Sequence, residues 1–193
     1  MAGVAGPMIE DRPLQGARFL LGLTTGAVAA GLMVGMAAYV VGAGVTALVA
    51  EGPRLVILAG GCFALGVLDL CGRPPHIWRQ VPQALVRVLP PGFLGAVWGF
   101  DIGLLFTTQK VSSLLWAPLV AVILLAPAQA PAMLIGIAAL SCLTITAMSV
   151  TGRSGVVDHG KRRERRWLMS LRGLSGLLLL AMAGATLVQG ALV

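Results

Sequence analysis

Arg18-Phe19-Leu20-Leu21-Gly22-Leu23-Thr24-Thr25-Gly26 opens an apolar run that continues to Val49, and Trp98-Gly99-Phe100-Asp101-Ile102-Gly103-Leu104-Leu105-Phe106-Thr107-Thr108-Gln109 opens a similar stretch later in the chain. Each leads through more apolar sequence to a hydrophobic segment with a cysteine near its middle, Cys62 in one half and Cys142 in the other, and then to a basic loop. This pattern reads as an internal repeat, with repeat one over about residues 18–91 and repeat two over about 92–193 of a single transmembrane domain spanning 1–193. Polar, helix-interrupting residues at corresponding places in two apolar halves point to a carrier site at the repeat interface.

The composition excludes a water-soluble globular domain. Apolar residues make up 58% of the 193 residues and charged residues 11%, and the mean hydropathy is +0.92. Such a chain is an all-α polytopic membrane protein. Six hydrophobic runs extend over Phe19 to Val49, Leu55 to Leu70, Phe93 to Phe106, Val111 to Leu125, Met133 to Val150 and Leu168 to Val193. A helix needs roughly 20 apolar residues to cross a bilayer, so the third and fourth runs are short. Glu10 and Asp11 precede the first run, which is also too long for a signal core, so it is expected to stay as a membrane helix.

The net charge of +7 is concentrated: Arg153, Lys161, Arg162, Arg163, Arg165 and Arg166 lie between Gly152 and Trp167. A basic cluster beside a membrane helix marks the cytoplasmic face and attracts anionic lipid headgroups, so Lys161, Arg162, Arg163, Arg165 and Arg166 are expected to meet anionic lipids of a bacterial cytoplasmic membrane. No aromatic residues interleave with these charges in the manner of a nucleic-acid surface.

The charge bias also constrains topology. Arg12 and Arg18 before the first run, and Arg73, Arg79 and Arg87 after the second, place both flanks in the cytoplasm. Three full crossings between Phe93 and Val150 would then put the strongest basic loop outside. Either the third and fourth runs form one broken or re-entrant unit, or the halves are inverted repeats with an external basic loop. The broken unit agrees with the bias at every loop and makes Thr107 to Ser113 a cavity-lining element. Between Pro74-Pro75 and Pro90-Pro91, which stop helices, Ile77, Trp78, Val81, Leu85 and Val88 recur at helical spacing and predict an interfacial amphipathic segment.

Asp101 is the acidic residue well inside a hydrophobic run. A charged Asp at a helix centre costs about 2.5 to 3.5 kcal/mol on insertion scales, which marks it as a cation- or proton-handling group, or as a partner of Lys110 that holds the broken unit together. Thr24, Thr25, Thr107 and Thr108 offer hydroxyls at matching places, although a threonine in a lone helix bonds back to its own backbone. With Asp101, Ser112 and Ser113 they make up the expected substrate-binding set. Asp69 and Arg73, four apart at a helix end, read as a solvated pair. Gly22, Gly26, Gly31 and Gly35 permit close helix approach. Cys62 and Cys142 each lie near the midpoint of their segment, would sit at similar depth if those helices pack together, and form the one candidate redox pair. Cys62 and Cys71 cannot pair, since nine helical residues span about 13.5 Å, beyond the roughly 7 Å limit for a disulfide. The sequence holds no metal motif, no cofactor motif and no nucleophile-base arrangement.

Phe19-Leu20-Leu21-Gly22-Leu23-Thr24-Thr25 and Gly99 to Thr108 resemble the openings of the two repeats in the DsbD/CcdA transmembrane family, which is related to LysE-type exporters. The resemblance implies two repeats, each begun by a broken helix whose Pro-Cys motif passes reducing equivalents across the membrane. Here the matching positions hold Thr25 or Gly26 and Thr108 or Gln109, so the family's catalytic residues do not carry over. Dithiol exchange needs a thiolate at each step, and Cys62 and Cys142 would have to supply it. Three roles therefore follow: a small carrier or exporter-like protein with a polar site between the repeats, a thiol-disulfide conduit that would make it an oxidoreductase, and an accessory subunit packed against a membrane partner through its glycine faces.

Overall fold

The computed structural model of the chain describes residues 12–73, 88–104, 113–150 and 161–192. All regular structure among them is helical: α1 (Pro13–Leu48), α2 (Glu51–Leu70), α3 (Pro91–Gly103), a 3-10 turn (Ser113–Leu115) running into α4 (Trp116–Leu125), a second 3-10 turn (Pro127–Gln129) running into α5 (Ala130–Val150), and α6 (Lys161–Leu192). These follow the six apolar runs closely. The amphipathic linker, Thr107, Thr108, Lys110 and Ser112 lie outside the described residues.

Local chemistry sets the helix ends. Pro13 and Pro91 occupy first-turn positions, where the missing N–H would have no intrahelical partner anyway. Ala50 in an extended conformation separates α1 from α2, whose first turn carries Glu51 and so complements the helix dipole. At the other end of α2, Gly72 takes φ +71°, its N–H bonds the Asp69 carbonyl at 3.0 Å, and the Arg73 N–H bonds the Leu68 carbonyl at 2.9 Å. This is a Schellman closure, and the left-handed residue it needs is the glycine.

Among the described residues, four spans are long and apolar enough to cross a membrane: Pro13–Leu48, Glu51–Leu70, Pro127–Ala147 and Met169–Gly190. The protein is an all-α membrane protein, and its exposed surface agrees: Leu21, Val40, Phe63, Leu140 and Leu177 are all exposed. In water such a surface would aggregate; in lipid it is the expected exterior.

The chain forms two compact units, and they do not follow the sequence halves. The first comprises residues 1–35, 78–108 and 132–159, the second residues 36–77, 109–131 and 160–193. Each unit draws on both halves of the sequence, and the short third and fourth runs are divided between them, α3 in the first and α4 in the second.

In the first unit, Phe19, Leu23 and Ala27 of α1 pack with Leu94, Trp98 and Ile102 of α3 and with Ala138 and Cys142 of α5. The Phe19 and Trp98 rings meet edge to face, 6.0 Å apart. Glycines let the backbones touch. A Cβ at Gly22 would land on the Gly92 carbonyl, one at Gly26 on the Ala96 carbonyl, and ones at Gly95 and Gly99 on the carbonyls of Phe19 and Leu23. The helices that carry the two opening motifs thus pack on each other as backbone against backbone.

In the second unit, Leu58 and Cys62 of α2, Ala117 and Leu124 of α4, and Leu179 and Ala183 of α6 form the core. Here α2 and α6 pack along their length and come closest where Cβ atoms at Gly66 and Gly176 would each stand 3.0 Å from the other's carbonyl oxygen.

Two sequence expectations change. The polar pair Thr24-Thr25 does not interrupt α1, which runs unbroken for 36 residues, because each hydroxyl is satisfied by its own helix. Lys161 to Arg166 do not sit in a loop but form the first turns of α6.

Candidate functional site

The polar centre of the second unit is Asp69, one residue from the end of α2 and 1% exposed. Its carboxylate accepts the backbone N–H of Ser113 at 2.9 and 2.8 Å on its two oxygens. The Ser113 hydroxyl bonds Oδ1 at 2.5 Å and the Ser175 hydroxyl bonds Oδ2 at 2.6 Å. Three elements converge here: α2 brings the carboxylate, the 3-10 turn before α4 brings Ser113, and α6 brings Ser175. Gly66 and Gly176 permit the close crossing that carries Ser175 within reach. Asp69 is therefore not the solvated partner of Arg73; Arg73 is exposed, while the carboxylate turns inward to donors from distant sequence.

Asp69 also stands at the N-terminus of the helical stretch 113–125, where unsatisfied N–H groups and the helix dipole favour an anion. The opposite end is held by the same partner helix. Arg54, in the first turn of α2, donates from Nη1 to the Leu124 carbonyl at 3.0 Å and from Nε to the Ala50 carbonyl at 3.3 Å. A negative group at the start and a positive one at the end match the dipole of α4 at both termini. The helix that is too short to cross lipid by itself is thus gripped, antiparallel, by one that is long enough.

In the first unit Asp101 is buried, 6% exposed, in the last turn of α3. One turn earlier, Trp98 is buried and its Nε1 has no partner among the described residues; the same holds for the buried Nε1 of the partly exposed Trp116 in the second unit. Thr24 and Thr25 are exposed and donate to the carbonyls of Leu20 at 2.9 Å and Gly22 at 3.0 Å. Of the expected binding set, Ser113 is drawn into a buried polar cluster, Asp101 is buried in the other unit, and the two threonines are turned outward. Thr107, Thr108 and Ser112 lie outside the described residues.

All three cysteines are free thiols. Cys62 and Cys142 are each 1% exposed and belong to different core clusters. Cys142 Sγ lies 3.6 Å from the Leu23 carbonyl, an internal use of its weak donor. Among the described residues there is no group of three or more His, Cys, Asp and Glu side chains able to hold a metal ion.

Sequence reasoning missed Asp69 and Ser175. The available signal was faint: a carboxylate flanked by Leu68 and Leu70, and a lone serine beside a glycine within the leucine-rich stretch of α6. Comparison of the chain with protein-family models, with curated proteins and with solved structures yields no match.

Proposed function

We propose that this protein is a small multi-pass carrier of a bacterial cytoplasmic membrane, in which buried carboxylates handle a proton or cation during solute movement. The observation that carries this reading is Asp69. A carboxylate buried within a membrane-capable helix is expensive, and such groups mark ion and proton pathways. Its oxygens are bonded by side chains of other elements, so the group is built into the packing rather than tolerated at an edge. Asp101 supplies a second buried carboxylate in the other unit. Thr107, Thr108 and Ser112 remain sequence-based members of the same polar set, and the basic start of α6 is assigned to the anionic lipid of the cytoplasmic leaflet.

The two other roles have less support. A thiol conduit requires accessible, reactive thiolates, and Cys62 and Cys142 are both buried. An accessory subunit docking through glycine faces needs those faces open, but Gly22, Gly26 and Gly31 already meet other segments of this chain.

The test is charge movement in proteoliposomes on a solid-supported membrane perfused with amino acids, organic amines and monovalent cations. A transient current with at least one class, absent in Asp69→Asn, supports the carrier. Currents equal to those of protein-free vesicles across the whole panel reject it.

A further inference from the structure

The four hydrogen-bond contacts on Asp69 decide which ion it can take. An ionised carboxylate offers about four lone-pair directions. All four are in use: the Ser113 N–H bridges both oxygens, the Ser113 hydroxyl takes Oδ1 and the Ser175 hydroxyl takes Oδ2. The backbone N–H can only donate, and the start of the 3-10 turn fixes its direction. A metal cation entering here would face that N–H and find no free carboxylate lone pair. A proton needs one position only, and one of the two hydroxyls can give it up.

Ser175 is the group able to do so. The other membrane-helix hydroxyls show the alternative: Thr24 bonds Leu20, Thr46 bonds Gly42, Ser141 bonds Ile137, Thr144 bonds Leu140 and Thr186 bonds Ala183, each to a carbonyl three or four residues back in its own helix. Ser175 instead reaches across to α2. Its own helix offers the same fallback at the Leu171 carbonyl. Ser113 is tied to Asp69 twice over, through its backbone N–H as well as its hydroxyl.

We propose that Asp69 is a proton-binding site, and that loading it turns Ser175 from a donor to α2 into a donor to its own helix. This assigns the coupling ion of the carrier and rests on that reading for its role, though not for its chemistry. One proton from water adds to Oδ2, the new O–H donates to Ser175 Oγ, and the Ser175 hydroxyl rotates to the Leu171 carbonyl. No covalent bond other than the new O–H is formed and no oxidant or reductant is involved. Access is from the end of α2, where Cys71, Gly72 and Arg73 are exposed. The charged and titratable groups around that end are Cys71 and Arg73 beyond α2 itself, and Arg172 of α6, whose Nη1 lies 3.9 Å from where a Cβ on Gly72 would stand. The stretch 113–125 contributes none.

Infrared difference spectroscopy of the full chain in lipid, between alkaline and acidic buffer, reads this directly. A protonated-carboxyl C=O band is expected to appear on acidification, to vanish in Asp69→Asn and to remain in Asp101→Asn. In Ser175→Ala the same band is expected to change frequency, since the acid loses its acceptor; this variant decides the matter if Asp69→Asn does not fold. A band unaltered in Asp69→Asn, or a frequency unmoved in Ser175→Ala, overturns the proposal. So does a carboxylate difference produced by sodium at fixed pH and abolished by Asp69→Asn. Because the spectrum needs no transport, a titrating Asp69 without solute currents would reject the carrier and leave the proton site standing, whereas currents with a silent Asp69 would do the reverse.

Discussion

The two units solve the same problem by different means. Between membrane helices there is little hydrophobic drive, because lipid tails are as apolar as leucine, so close packing and interhelical polar contacts must hold them together. The first unit relies on shape: α1 and α3 lie backbone on backbone through Gly22, Gly26, Gly95 and Gly99, with Phe19 and Trp98 closing the contact. The second adds charge: Asp69 and Arg54 hold the ends of α4, beside close approaches at Gly66 and Gly176 and at Gly42, where an added Cβ would stand 2.7 Å from the Ile123 carbonyl. A contact made of shape tolerates no added atom, whereas one made of charge tolerates no lost donor.

That contrast can be broken from either side. The largest effect is expected in the first unit from Gly99→Leu, whose Cβ alone would fall on the Leu23 carbonyl; a backbone group cannot step aside, so the variant should fail to give monodisperse folded protein in detergent. Next comes Asp69→Ala in the second unit. It strands the Ser113 N–H and two hydroxyls, and by analogy with broken buried polar pairs should cost about 3 to 5 kcal/mol, read by unfolding in mixed micelles. Arg54→Met removes one charge-assisted bond at the other end of α4 and should cost about 1.5 to 3 kcal/mol, with the loss confined to the second unit as judged by hydrogen exchange.

Smaller effects sharpen the comparison. Replacing Cys62, Cys71 and Cys142 together by Ser is expected to leave solute currents intact, and a lost current would restore the thiol conduit. Gly136→Ala on α5 serves as a blank: nothing lies within 4 Å of the added carbon, and stability should change by no more than about 0.5 kcal/mol. Equal damage from Gly136→Ala and Gly99→Ala would mean that glycine matters here through backbone freedom and not through contact.

Much of this architecture was legible in the residues. The described helices follow the apolar runs, four of them long enough to cross a bilayer, and Pro90-Pro91 marks the start of α3. Gly22 and Gly26 signalled the close contact of α1, while the matching Gly95, Gly99 and Gly103 were there to be read at the same spacing. The site was harder. Asp69 and Arg73 have the spacing of a helical ion pair, and nothing local says that the carboxylate turns inward. Its donors lie 44 and 106 residues away, so the burial is a property of the fold. Thr24-Thr25 misled for the opposite reason. A polar pair in an apolar run suggests a break, but a hydroxyl that bonds its own helix lets the helix pass through intact.

The paired grip of α2 on α4 makes one helix the ruler for another. Arg54 and Asp69 are fifteen residues apart, about 22 Å along a helix, and the eleven residues from Ser113 to Leu124 cover about 17 Å in the opposite sense, the long Arg54 side chain making up the difference. Inserting or deleting one residue in either would turn everything beyond it by about 100°, so that only one end could be held at a time. The consequence reaches into biogenesis. Too short to be recognised as a span by lipid alone, α4 can take its place only after α2 is already there to measure it.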